Sequence, residues 1–285
     1  MRIQVAVAHY FKAGNGRHGS LGRDPAPRVA ALRQLVLQLH RLFGPQAGVL
    51  NHMQRRVDPV ADGAGELTIR ICVCENAHVL EELRDLAGGF EVVICQPQQP
   101  LLLGFECHRA LQQRHADFDY SVYLEDDILI TDADFFLKLQ LFNRSFGDDY
   151  LLMPNRLETS ENLAHLRRFY IDGDYNPRAT EQWRRSGGIR LSLSHLGEAV
   201  QFEQPFNLHS GCFFLNRNQA ERYFASEHWR QIDTSFHGPL ESAATLGMMK
   251  TFQLMKPSLG NARFLTVEHA GRNFMGLVPQ LMAAG

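Results

Sequence analysis

Four mostly apolar runs divide the first 125 residues: "IQVAVA" at 3–8, "LTIRICVC" at 67–74, "FEVVIC" at 90–95 and "YSVYL" at 120–124. Strands covered on both faces read as near-continuous apolar runs, which is how parallel sheets sandwiched by helices are written. The intervening stretches have helical spacing. Residues 28–43 place Val29, Leu32, Leu35, Val36, Leu39 and Leu42 on one face, "HVLEELRDL" makes a short helix, and Gly104 to His115 makes another. Alternating strand and helix predicts an α/β chain with a mostly parallel sheet.

The second half is less regular. Thr131 or Asp132 is placed to cap a helix carrying Phe135, Phe136, Leu139 and Phe142. "YLLMP" is a short strand, and residues 155–205 are polar and Arg-rich, an expected irregular excursion or flexible cover. Order resumes with the strand "NLHSGCFFLN", helices near 217–225 and 239–250, and a last strand "RFLTVEHA"; the terminal "LVPQLMAAG" is weakly specified.

Composition narrows the partners. With 45% hydrophobic and 21% charged residues the chain reads as soluble and globular, and at 285 residues it has room for one large domain or two small ones. A net charge of −2 gives no global field for nucleic acid or anionic membrane, so an anionic ligand needs a local device. No run is long enough for a transmembrane segment, and the N-terminal apolar run is too short for a secretory leader. The five cysteines are then expected as free thiols in a cytoplasmic setting, with Cys72 and Cys74 a structural pair on one sheet face.

Glu125, Asp126 and Asp127 follow "YSVYL" directly, before apolar Ile128–Ile130. Open α/β sheets bind ligands at the carboxyl ends of their strands, which is where this triplet falls. Side-chain alternation places Glu125 and Asp127 on one side and Asp126 on the other. Crowded carboxylates repel, and a hard cation such as Mg²⁺ or Mn²⁺ keeps them ionised while taking phosphate oxygens as further ligands.

"VYLEDDILITDADFF" resembles the Asp-x-Asp-type motif of metal-dependent glycosyltransferases of the GT-A fold, a Rossmann-like, mostly parallel sheet flanked by helices. It is especially similar to the Glu-Asp-Asp version of the N-acetylglucosaminyltransferase I type. The resemblance implies one catalytic domain, with residues 1–130 holding the nucleotide and 131–285 the acceptor. It implies a UDP- or GDP-sugar donor, a carbohydrate or other hydroxyl acceptor, and Mn²⁺ or Mg²⁺ held by Asp127, with Glu125 and Asp126 in support.

Further positions follow from the resemblance. Ala8, His9 and Tyr10 become base or ribose contacts, with Arg17 or Arg23 available for phosphate. His209, Ser210 and Gly211 lie on the donor or acceptor side. Glu241, after a Pro at a helix start, becomes the general base, though the second acid common in the family is Ser242 here. His269 completes the metal shell, with Arg272 and Asn273 near the diphosphate. Two other readings use the same acids: a nucleotidyl- or phosphoryl-transferase with a carboxylate metal site, and a non-catalytic sugar- or cation-binding module. No P-loop, G-x-G-x-x-G or G-x-S-x-G motif is present.

Overall fold

The computed structural model describes residues 1–14, 19–61, 65–160, 168–173, 176–184, 188–271 and 273–277. Its elements are β1 (Ile3–His9), α1 (Ala26–Phe43), a hairpin of β2 (Gly48–Asn51) and β3 (Arg56–Pro59), β4 (Leu67–Cys74), β5 (Glu91–Cys95), α2 (Leu103–Gln112), β6 (Tyr120–Glu125) and β7 (Ile128–Leu129). Then come α3 (Phe135–Phe146), β8 (Tyr150–Leu152), β9 (Asn155–Thr159), β10 (Arg168–Tyr170), β11 (Arg190–His195), β12 (Glu198–Glu203) and β13 (Cys212–Asn216). The chain continues through α4 (Arg217–Ala225), α5 (Pro239–Glu241), α6 (Gly247–Thr251), β14 (Gln253–Pro257) and β15 (Thr266–His269).

The four apolar runs pair as expected. They form a sheet of order β13-β6-β1-β4-β5, parallel except for β13. Each face of this sheet buries its own core, because alternate residues point opposite ways. Val5, Val7, Ile71, Val122 and Leu124 pack with α1 and α3, while Ala6, Cys72, Tyr123 and Phe213 pack with α2 and α4. The paired phenylalanines of α3 anchor it: Phe135 lies 4.7 Å from Phe214, and Phe136 lies 4.8 Å from both Phe43 and Tyr120. Polar interruptions inside the strands are satisfied in place. Gln4 donates to Ser121 Oγ (2.8 Å) and accepts from Arg70 Nη1 (3.0 Å).

Two smaller sheets complete the α/β fold, of order β10-β9-β15-β7 and β11-β12-β14-β8. The described residues of 155–205 are therefore not an irregular excursion: they supply β9, which is buried but polar in Asn155, Arg156 and Glu158, and β10 to β12, whose exposed positions dilute the strand signal. The strand expected at 207–216 starts only at Cys212, because Gly211 adopts φ +64° and breaks the extended run. The expected helix at 239–250 carries a π-helical turn at Ser242–Leu246, a local rewinding common beside functional sites. Helix α3 starts at Phe135 without a side-chain cap. Asp132 instead accepts from the Asp134 amide and from Lys138 Nζ. Among the described residues no helix is long and apolar enough to cross a membrane.

Candidate active site

Strand β6 ends at Glu125, and the chain turns at Asp126–Asp127 before entering β7. That turn cancels the strict alternation expected of a strand: all three acids line one cavity of about 350 Å³ at the carboxyl ends of β1 and β6. Ala8, Tyr10, Leu21, Leu101 and Leu103 contribute its apolar lining, and Arg28 joins the acids.

Asp126 is neutralised from within the chain. Its Oδ2 lies 2.6 Å from His9 Nδ1, and its Oδ1 accepts from Arg28. Since His9 Nε2 accepts from the Val79 amide (3.1 Å), Nδ1 must carry the proton and donate. Burial alone would raise the Asp126 carboxyl, but the His9 hydrogen bond and the Arg28 charge hold it below the usual carboxylate range. His9 is fully buried behind Asp126 and does not line the cavity, unlike Ala8 and Tyr10.

The other two acids are pushed the opposite way. Burial, and then the charge of Asp127, pushes the Glu125 carboxyl up to about 8. Burial and Asp126 raise Asp127 against the pull of His269 and Arg28. Asp127 Oδ1 is buried with no hydrogen-bond partner, while Oδ2 accepts from Arg28 Nη1 (3.1 Å) and sits 3.6 Å from His269 Nε2.

Sheet register explains that last approach. β15 runs antiparallel to β7 with His269 opposite Ile128, and the Ala270 amide donates to the Asp127 carbonyl (2.7 Å). β15 also pairs with β9, which brings the fully buried Glu158 to His269 Nδ1 at 3.0 Å. Glu158 further accepts the amides of Phe274 (3.0 Å) and Met275 (2.6 Å). With Nδ1 donating to Glu158, a neutral ring turns its Nε2 lone pair toward the Asp127 carboxylate. Two electron-rich atoms at that distance need a proton or a cation between them. The orphaned Asp127 oxygen and the carboxylate-held imidazole suit a hard divalent ion. Among the described residues no three His, Cys, Asp or Glu side chains gather as a metal cluster. An ion at Asp127 and His269 would therefore keep waters or phosphate oxygens.

The remaining expected residues are spread around this centre. A Cβ on Gly211 would lie 2.8 Å from Glu125 Oε2, so the bare backbone there makes room for that carboxyl. Ser210 is buried with its hydroxyl donating to the Pro154 carbonyl (2.8 Å), and His209 is buried against Thr245 Oγ1 (2.9 Å); neither lines the cavity. Glu241 sits beside Gly238 at the first turn of α5; its neighbour Leu240 lines the cavity, and its charge adds to the upward push on Glu125. Asn273 and Arg23 are exposed, and Arg17 and Arg272 fall outside the described residues. Cys72 is buried and Cys74 half-buried on one face, both in reduced form.

Sequence reasoning missed two residues. Arg28 sits in the first turn of α1, where its helical spacing had no bearing on the acids; only the end-of-strand geometry brings it across. Glu158 lies in the stretch expected to be irregular, and a lone Glu in a polar segment carries no signal of burial.

No protein-family model matches the sequence, and no curated protein does either. Among solved structures, the chain is similar to a mannose-1-phosphate geranyltransferase from Thermus thermophilus, at 13% identity and a TM-score of 0.40 over 90% of this chain and 73% of that one. It is similar to S. aureus TarS at 11% identity and a TM-score of 0.44, where 99% of this chain spans 39% of the other. A CMP:2-keto-3-deoxy-manno-octonic acid synthetase complexed with CTP gives 12% and 0.42 over 99% and 98% of the two chains. At such identities and scores the activities in those names stay with those proteins.

Proposed function

We propose that this chain is a GT-A-type glycosyltransferase that takes a UDP- or GDP-sugar, with Mn²⁺ or Mg²⁺, and passes the sugar to a hydroxyl acceptor. The observation that carries this reading is the Asp127–His269 pair: a buried carboxylate with one unpartnered oxygen, facing an imidazole whose other nitrogen is held by Glu158. Asp127 lines a cavity that also presents Tyr10 and apolar side chains, a mixed lining that suits a nucleoside base together with a diphosphate.

The roles follow from the chemistry. Ala8, Tyr10, Leu21 and Leu101 receive the base by apolar contact. Arg28 has a fixed charge beside the acids and is the residue placed to meet a phosphate, taking the part assigned from sequence to Arg17 or Arg23. Asp127 and His269 would hold the ion, which when bound supplies Lewis-acid stabilisation of the departing diphosphate. Glu241, next to Leu240 of the cavity lining, accepts the proton of the acceptor hydroxyl as its oxygen bonds to the anomeric carbon and the carbon–diphosphate bond breaks. Direct attack of that kind inverts the anomeric centre. Residues 1–130 and 131–285 then act as donor and acceptor halves of one catalytic domain.

The test is turnover. Incubation with UDP- and GDP-sugars and Mn²⁺ should release nucleoside diphosphate, and Glu241→Gln should lose transfer while still binding the donor. Release of pyrophosphate from a nucleoside triphosphate and a sugar 1-phosphate, with no nucleotide-sugar turnover, would overturn the reading in favour of nucleotidyl transfer.

A further inference from the structure

A second hollow, of about 230 Å³, opens between Asn155, Asp172, Arg184, Gln204, Phe206 and Lys256. Its floor carries charges removed from water. Lys256, only 2% exposed, donates from Nζ to Asp172 Oδ2 (2.8 Å) and to the His209 carbonyl (2.8 Å). Arg156 Nε donates to Asp172 Oδ1 (2.9 Å). An ammonium has three N–H donors, and Lys256 has these two acceptors among the described residues, so one donor remains on a side chain that lines the hollow.

The wall repeats the pattern. The Arg184 guanidinium lies 4.1 Å over the Phe206 ring and donates from Nη2 to the Gln204 carbonyl (2.9 Å). Its Nε is buried with no partner. A buried donor left unpaired is costly in a folded protein and marks a place where a ligand or water completes the bond.

The mixture of signs sets the ligand class. Arg184 and Lys256 oppose a cation, while Asp172 and Glu203 oppose an anion. Hydroxyl groups both donate and accept, so a neutral polyhydroxylated ring satisfies such a lining. The volume falls below the roughly 300–1,000 Å³ typical of drug-sized ligands, which suits a single ring better than a nucleotide. Arg156 joins the two sites: it holds Asp172 by hydrogen bonds, and its charge also acts on Glu125 and Asp127.

We propose that this hollow is a subsite for one neutral sugar ring and, resting on the glycosyl-transfer reading above, that the ring belongs to the acceptor. The donor's own sugar has the same chemistry, and the two sources separate experimentally. Saturation-transfer NMR is run on the full chain with UDP, Mn²⁺ and the methyl glycosides of glucose, galactose, mannose and N-acetylglucosamine. At least one glycoside should receive saturation. Arg184→Ala and Phe206→Ala, checked for unchanged thermal midpoints, should weaken its binding about fivefold or more, as expected when one hydrogen bond or one stacking interaction is removed. UDP binding in both variants should match wild type. If no free glycoside binds but Arg184→Ala weakens a UDP-sugar relative to UDP, the acceptor assignment is overturned. If neither occurs, the subsite itself is overturned. Failure of the glycosyl-transfer reading shows separately, as absence of nucleotide binding by the wild-type chain.

Discussion

Replacing Glu158 by Gln tests whether one buried carboxylate organises both His269 and the segment after β15. Glu158 Oε1 accepts from His269 Nδ1 and the Phe274 amide, and Oε2 accepts from the Met275 amide. An amide in its place keeps one acceptor oxygen. In the better orientation that oxygen serves His269 and Phe274, and the Met275 N–H faces a donor. One charge-assisted hydrogen bond is then lost, worth about 1.5–3 kcal/mol, and two others weaken from charged to neutral. The expected loss is about 2–4 kcal/mol in urea unfolding, or ~2–4 °C of Tm per kcal/mol for a chain approaching this size. Limited proteolysis should reach residues 270–277 faster in the variant. Because partners behind a metal-bound His typically contribute about 10–100-fold to metal affinity, Mn²⁺ binding followed by electron paramagnetic resonance should weaken by that factor. Unchanged unfolding, proteolysis and Mn²⁺ affinity in Glu158→Gln would mean that Glu158 organises neither His269 nor the segment after β15.

Other predictions rest on single features. His108 is buried with Nε2 donating to the Ala243 carbonyl (2.9 Å), and burial lowers its pKa to about 4. The unfolded chain takes up this proton near pH 6.5 and the folded chain only near 4, so wild type should lose about 2–3 kcal/mol between pH 7 and 4.5. Urea unfolding at both pH values should show this extra loss disappearing in His108→Gln. Gly211→Ala adds a Cβ at φ +64° and 2.8 Å from Glu125 Oε2. It should cost about 1–3 kcal/mol and weaken nucleotide binding in calorimetry; full stability with intact binding would contradict the assigned fit. Asp172→Asn leaves Arg156 and Lys256 buried without their counter-charge and should destabilise by ~3–5 kcal/mol, measured by the same unfolding titration.

The sheet was legible because β1, β4 and β6 are covered on both faces, so burial is written continuously into their residues, while the edge strand β5 shows itself by its apolar run although Val92 and Ile94 are exposed. The placement of the acids at a strand end followed from the same pattern. The half-covered β10 to β12 were not legible, since an exposed face dilutes the period-two signal with polar residues, as in "RLSLSH", and β9 was not because its buried positions are themselves polar, Asn155, Arg156 and Glu158. The side on which each acid points was misread because alternation holds only while a strand continues, and this one turns after Glu125. Arg28 and Glu158 meet the acids across 98 residues in one case and through β9, β15 and β7 in the other. Contacts made by sheet order between distant segments leave no local trace. Even Gly211, which stood out as a glycine in an apparent strand, revealed its purpose only when Glu125 was found beside it.

If Asp127 is a ligand of the ion, nucleoside diphosphate binding should depend on a divalent cation. Thermal unfolding of wild type and Asp127→Asn, each with UDP or GDP and with or without Mn²⁺, tests it directly, because a ligand that binds only the folded chain raises its midpoint. Mn²⁺ and nucleotide together should raise the wild-type midpoint well beyond either alone, and Asp127→Asn should show no such gain. An equal Mn²⁺-dependent gain in Asp127→Asn, or none in wild type with either nucleotide, would contradict it.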